Sequence, residues 1–345
     1  MINYRVFHVE LVKLLKHRLT WGVLAGLLLI MGMQLNSLYR EVTADPNLPI
    51  TFSQYLQTGI PPRTSPAPTT TTSESKGDIV DTAFDPEAIQ PIHRLANIIL
   101  PGILDRVQLM ADWLTVAMIL FGILVIGREL NWGTLRMVLV RGVSRWQLLV
   151  AKLAAVTAVS TTILFILWLT CFFIGLFTTR QLTGIVDFGF ITGSFWLAQL
   201  GTLVRIGFVV LTFLAFTLAV NIWLNKPGPA FSLLFLSYSL SWFGYISSTI
   251  AAVFVLANPN VDINNFKDTL GGQLILLLPH YNDRLVLYWQ QPPHILSELD
   301  TSAYAFAQAF SLNLDPHRAL FVLLLYGFVP FLLALYTFQN REMTQ

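Results

Sequence analysis

The stretch GRELNWGTLRMVLVRGVSRWQLLVAKL, residues 127–153, sits between two long apolar runs and holds five cations and one acid. Its reading decides the fold, because it fixes which side of a membrane the flanking runs start from. Trp132, Leu135, Val138 and Leu139 recur at helical spacing with Arg136 on another face, so the segment reads as a short amphipathic helix. Gly142 ends that helix and Ser144 caps the next, which carries Trp146, Leu148 and Leu149 into the following apolar run.

The rest of the chain gives this segment its setting. The 345 residues are 54% hydrophobic and 12% charged, with a mean hydropathy of +0.63. Soluble domains carry about 25% charged residues, so half that share places the chain in a bilayer. A hydrocarbon core of ~30 Å needs roughly 20 apolar residues as a helix. Six runs reach that length: 19–38, 111–127, 153–177, 206–224, 230–257 and 318–338. A seventh apolar piece, LILLLP at 274–279, is too short to span and reads as re-entrant or interfacial. The first run follows a charged segment and is long enough to cross, so it is expected to be retained as a helix rather than cleaved. The expected fold is an all-α polytopic membrane protein.

Charge sets the orientation. With residues 1–18, 128–152, 225–229 and 339–345 on the cytoplasmic side, that side holds eleven cations against three acids. The outer side keeps 16 of the 19 acids. Both termini are therefore expected inside, in the cytoplasmic membrane of a prokaryote. Arg205 falls 20 residues before Asn225, which puts it at the outer headgroup level, where a long side chain can snorkel.

Between the spans, residues 4–18 interleave Val6, Val9, Leu11, Val12, Leu14 and Leu15 with cations, an amphipathic helix suited to an anionic inner surface. The outer region 39–110 has a Pro/Thr/Ser-rich centre that buries no core and is expected to be disordered. Residues 178–205 form a short outer loop and helix start, and 258–317 an outer cap or gate rich in Trp, Tyr and Pro. In the fifth run Ser237, Ser241, Gly244 and Ser248 make a small-residue stripe. It reads either as close helix packing, including a dimer seam, or as a translocation surface. Gly327 and Pro330 mark an expected kink in the last run.

Catalytic signatures are missing. The sequence has no HExxH, no GxSxG and no GxxxxGK[ST]. Its six histidines have no ligand spacing, with His93 and His280 read as interfacial side chains, and the single Cys171 excludes an intrachain disulfide. The runs carry almost no acids, and Asp112 lies at the outer end of the second, which argues against a buried proton relay. No enzyme activity, nucleic-acid partner, metal or cofactor is expected on this chain.

The pattern from Glu129 through Gly133, Thr134, Leu135 and Arg136 to Arg141, Ser144, Arg145 and Lys152 resembles the intracellular loop of ABC-2 type transporter permeases, the membrane subunits of type V ABC exporters. The N-terminal ELVKLLKHRLTW resembles the elbow helix that precedes the first span in that family. The resemblance implies six spans, an elbow at 1–18 and a coupling helix within 128–152. It also implies a second permease, identical or sister, and two separate ATP-binding subunits that carry ATP and Mg. Membrane lipids are the remaining partner. On this reading Glu129 to Arg145 docks on the ATPase, with Leu135, Val138 and Leu139 as apolar contacts and Arg136, Arg141 and Arg145 setting register or pairing with acids on the partner. The expected function is ATP-driven export of an amphiphile such as a lipid, peptide or antibiotic. The alternatives are an ATP-independent carrier or channel, and a membrane-embedded enzyme or assembly factor acting on the outer face.

Overall fold

The computed structural model describes residues 4–44, 98–131, 143–186, 188–224, 228–239, 277–287 and 316–340. Among the described residues the chain is helical and has no strand. The long helices are α1 (Tyr4–Lys16), α2 (Arg18–Ala44), α3 (Met110–Asn131), α4 (Arg145–Thr183) and α5 (Gly193–Leu224). They are followed by α6 (residues 228–239), α7 (Pro279–Leu287) and α8 (Pro316–Asn340). A 3-10 helix, Gly102–Leu109, leads into α3.

Five segments are long and apolar enough to cross a membrane: Arg18–Ala44, Gly102–Leu124, Arg145–Thr183, Gly193–Leu224 and His317–Asn340. These coincide with the first, second, third, fourth and sixth expected runs. Of the fifth, 230–257, the described part is α6; residues 240–257 lie outside the described residues, as do most of 39–110 and 258–317. Two helices are longer than expected. The 39 residues of α4 measure ~58 Å at 1.5 Å each, nearly twice a hydrocarbon core. The 32 residues of α5 begin 13 before the expected span, which shortens the connection after α4 to residues 184–192. Gly184 makes that turn possible: its φ of +76° is left-handed, and no side chain is there to clash.

The chain divides into two compact units. The first comprises Met1–Leu28, Val107–Trp168 and Ile191–Gln345, with α5 at its centre. α5 packs against α3, α7 and most extensively α8, burying Val209, Val210, Leu214, Leu218 and Ala219. It is apolar on every face, buried against other helices along its second half and exposed at Leu197, Leu200 and Val204. The contact with α8 is set by Gly327: a Cβ there would lie 2.9 Å from the Thr212 carbonyl oxygen and 3.0 Å from its Cα. Backbone cannot swing aside as a side-chain tip can, so only glycine permits this approach. The glycine expected to help kink the last run also lets α8 approach α5 closely, three residues before Pro330, which lies inside α8. Arg205 sits within α5, half-buried, its Nη2 donating to Thr202 Oγ1 at 3.0 Å. It is a helix-surface contact as much as the solvent-seeking anchor expected.

The second unit, Leu29–Arg106 and Leu169–Phe190, closes around the end of α4. Gly175 lies under Ile103 and Leu100, and Thr178 Oγ1 donates to the Ile98 carbonyl at 2.8 Å. The amide of Leu100 donates to Thr179 Oγ1 at 2.9 Å. Val42 and Ile98 are buried beside Tyr39 and Leu182, and the Cys171 thiol lies 3.4 Å from the Met31 sulfur.

Gly327→Ala is expected to destabilise the folded chain by about 1–3 kcal/mol, because two backbones must separate to admit a methyl group. Gly22→Ala, where nothing lies within 4 Å, is expected to leave stability unchanged or slightly raised. Equilibrium unfolding of the two variants in mixed micelles checks both.

Candidate functional site

The expected coupling residues divide sharply in what can be described. Glu129 belongs to the last turn of α3. Gly133, Thr134, Leu135, Arg136, Val138, Leu139 and Arg141 lie outside the described residues. Ser144 and Arg145 form the far end of the segment, and there the structure is specific. The amide of Gln147 donates to Ser144 Oγ at 3.3 Å and the amide of Leu148 to the Ser144 carbonyl at 3.1 Å. Ser144 is the N-cap expected, satisfying donors that the first helical turn leaves over.

Arg145 makes contacts within the chain itself. Its Nη1 donates to the carbonyls of Phe338 at 2.8 Å and Gln339 at 3.1 Å, and its guanidinium lies 5.8 Å from the centre of the Phe338 ring. The last turn of α8 has no basic residue of its own. Arg145 supplies the positive charge that the carbonyl end of a helix favours, from a residue 193 positions away.

Seven residues further on, Lys152 Nζ meets Glu10 Oε2 of α1 at 2.8 Å, the two side chains 3% and 9% exposed. Two opposite charges this deeply buried are held because each removes the other's desolvation cost; either one alone is expensive. Lys13, on the same helix as Glu10, is pulled below the ordinary lysine value by burial and by the Lys152 charge, with Glu10 opposing. The helix read as a free-lying amphipathic element is therefore fastened to the root of α4. The signal in the sequence was Glu10 itself, the one acid in a basic helix. Its partner, 142 positions away, was invisible.

The bend between α1 and α2 is equally fixed. Thr20 Oγ1 donates to the Leu14 carbonyl at 2.6 Å, the Trp21 indole to the Leu15 carbonyl at 3.0 Å, and the Leu19 amide to His17 Nδ1 at 3.2 Å. These bonds use carbonyls that end α1 and an amide that starts α2, so the corner has little freedom to flex.

Among the described residues of the same unit lie a groove and a cavity. A groove of about 390 Å³ runs between α3 and α6, walled by Trp113, Val116, Leu120, Phe231 and Phe235, with Asp112 in its lining. A smaller cavity of about 170 Å³ is walled by α3, α5, α6, α8 and the start of α7. Ile119, Leu234 and Tyr238 line both. Of the expected small-residue stripe, Ser237 lines the smaller cavity and donates to its own helix at the Leu234 carbonyl. Ser241, Gly244 and Ser248 lie outside the described residues. Leu278 and Pro279, at the start of α7, reach the level of Thr212 and Tyr326. No group of three or more potential metal ligands exists among the described residues.

Glu10→Ala is expected to cost about 3–5 kcal/mol by stranding Lys152 in an apolar setting. The double change Glu10→Leu with Lys152→Met is expected to recover most of that loss. A double-mutant cycle measured by equilibrium unfolding reads the coupling directly.

Comparison with known proteins adds a family without a function. No curated protein matches the chain. A family model described as "Protein of unknown function (DUF2705)" matches residues 93–281, more than half of the 345. That match begins just before the 3-10 helix leading into α3 and takes in the loop 128–152, α4, α5 and every described residue that lines either cavity except Tyr326, so the chain belongs to the DUF2705 family.

Proposed function

We propose that this protein is the membrane subunit of an ATP-driven exporter, with ATP and Mg bound by a separate subunit that docks on residues 129–145. The observation that carries the reading is the placement of the far end of that segment. Within eight residues, Arg145 and Lys152 bind the end of α8 and the middle of α1. A force on the loop is thereby delivered to three helices at once: α4 directly, α8 through its terminal carbonyls, and α1 through a buried ion pair. The stiff corner at His17 passes the movement of α1 into α2. A positive-inside anchor needs none of this, since scattered cations suffice for it.

In this mechanism the chain performs no chemistry of its own. Closure of the ATPase moves the loop, and the fastened helices move as a group, changing the shape of the cavities they line. The groove between α3 and α6 has an apolar wall and a carboxylate in its lining, which suits an amphiphile better than a hydrated ion or sugar. A second copy or sister permease and two ATP-binding subunits complete the assembly on the cytoplasmic side of a prokaryotic membrane.

Leu135→Asp is expected to abolish co-purification of an ATP-binding subunit from native membranes while the permease still inserts at normal level. Affinity capture in mild detergent followed by mass spectrometry measures it. Retention of a stoichiometric ATPase by the variant, or its absence with the unaltered chain, overturns the proposal and returns the carrier and outer-face enzyme readings.

A further inference from the structure

The smaller cavity has a chemical character that its size alone does not convey. Four aromatic rings wall it: Phe213 and Phe216 from one face of α5, Tyr238 from α6 and Tyr326 from α8. They are arranged as two edge-to-face pairs. Phe213 and Tyr238 have centroids 5.9 Å apart at 72°, and Phe216 and Tyr326 6.5 Å apart at 68°. The four rings come from three helices around the space, and aromatic faces carry the negative end of the ring quadrupole.

The polar groups in the lining point the same way. The Thr212 hydroxyl donates to the Phe208 carbonyl at 3.0 Å, and the Ser237 hydroxyl donates to the Leu234 carbonyl at 2.9 Å. With their protons spent on their own helices, these oxygens are left as acceptors. Among the described residues no Lys, Arg or His lines either cavity, and Asp112 of the adjoining groove is the one carboxylic acid in the two linings. An anionic headgroup finds no cationic partner among these residues. A primary ammonium would give up three hydrogen bonds to water and depend on the oxygens of Thr212, Ser237, Tyr238 and Tyr326, set among apolar walls, to replace them. A quaternary ammonium donates none, so it loses least on entering and gains cation–π attraction from several rings.

We infer that the cavity enclosed by Phe213, Phe216, Tyr238 and Tyr326 is an aromatic cage for the quaternary ammonium headgroup of a cationic amphiphile, whose hydrocarbon chain lies in the adjoining groove. The two spaces share Ile119, Leu234 and Tyr238 as common walls, which places headgroup and chain side by side. The cage deepens the export reading by naming its substrate class, and it rests on that reading for transport but not for binding.

The test is equilibrium binding to the full chain in nanodiscs of uncharged lipid, with empty nanodiscs subtracted. The probes are dodecyltrimethylammonium, dodecanol and dodecyl sulfate, which share one chain length and differ in headgroup. The cation is expected to bind at least about tenfold more tightly than the other two. Tyr326→Leu and Phe216→Leu are each expected to weaken cation binding by roughly three- to thirtyfold and leave dodecanol unchanged, and Tyr326→Phe to retain it. Equal affinity for the three probes, or undiminished cation binding by both leucine variants as monodisperse protein, overturns the inference. Preferential cation binding in a chain that captures no ATPase sinks the export reading and leaves the cage standing. An ATPase partner with no headgroup preference does the reverse.

Discussion

Hydrocarbon offers no hydrogen bonds, and most of what is seen in this structure follows from that constraint. The backbone is satisfied by helix, and the side-chain hydroxyls are satisfied by the same backbone. Thr115, Thr157, Thr161, Thr162, Thr212 and Thr217 each donate to the carbonyl four residues earlier. Asn221 does the same with its amide. These residues look polar in the sequence but present mostly oxygen and methyl to their neighbours, so the helices pack as apolar cylinders. Where a polar group reaches beyond its own helix, the exception marks a joint: Arg145 to α8, Lys152 to α1, Thr178 and Thr179 to the turn at Ile98–Leu100.

With water absent, no hydrophobic gain holds one apolar helix to another, and close packing has to supply the attraction. Gly327 is the clearest case, since it brings the backbone of α8 against that of α5. Tyr326 and Phe216 meet beside that crossing and wall the smaller cavity. The crossing that holds the bundle together thus also frames its most structured internal space. The same logic explains why the ion pair of Glu10 and Lys152 is informative. It adds little to net stability compared with an apolar pair, so its value lies in specifying which helix α1 sits on.

On the export reading we propose, the membrane subunit needs a stiff input and a deformable interior, the input being the capped start of α4, the fastened α1 and the bonded corner at His17. The interior is provided by cavities walled by five separate helices, any of which changes the enclosed shape when it moves. Neither feature requires an acid, a histidine or a metal in the spans, which fits the sparse charge of the runs.

The sequence by itself indicated an all-helical chain with apolar spans, the N-cap at Ser144 and the location of α1, and its second and last runs fall within a few residues of α3 and α8. Each of these depends on local apolar length, charge or turn chemistry, which neighbours in sequence report faithfully. It misjudged the reach of α4 and α5, because the hydropathy that marks a span says nothing about where a helix continues past it. Only the tertiary structure decided that Arg145 caps α8, that Glu10 finds Lys152, and that Ser237 faces a cavity lined by Tyr326. Those pairings join residues up to 194 positions apart, and they are fixed by how helices cross. In an apolar medium a crossing is chosen by surface shape, above all by where a glycine lets two backbones touch, and a single sequence does not display the shape of the opposing surface.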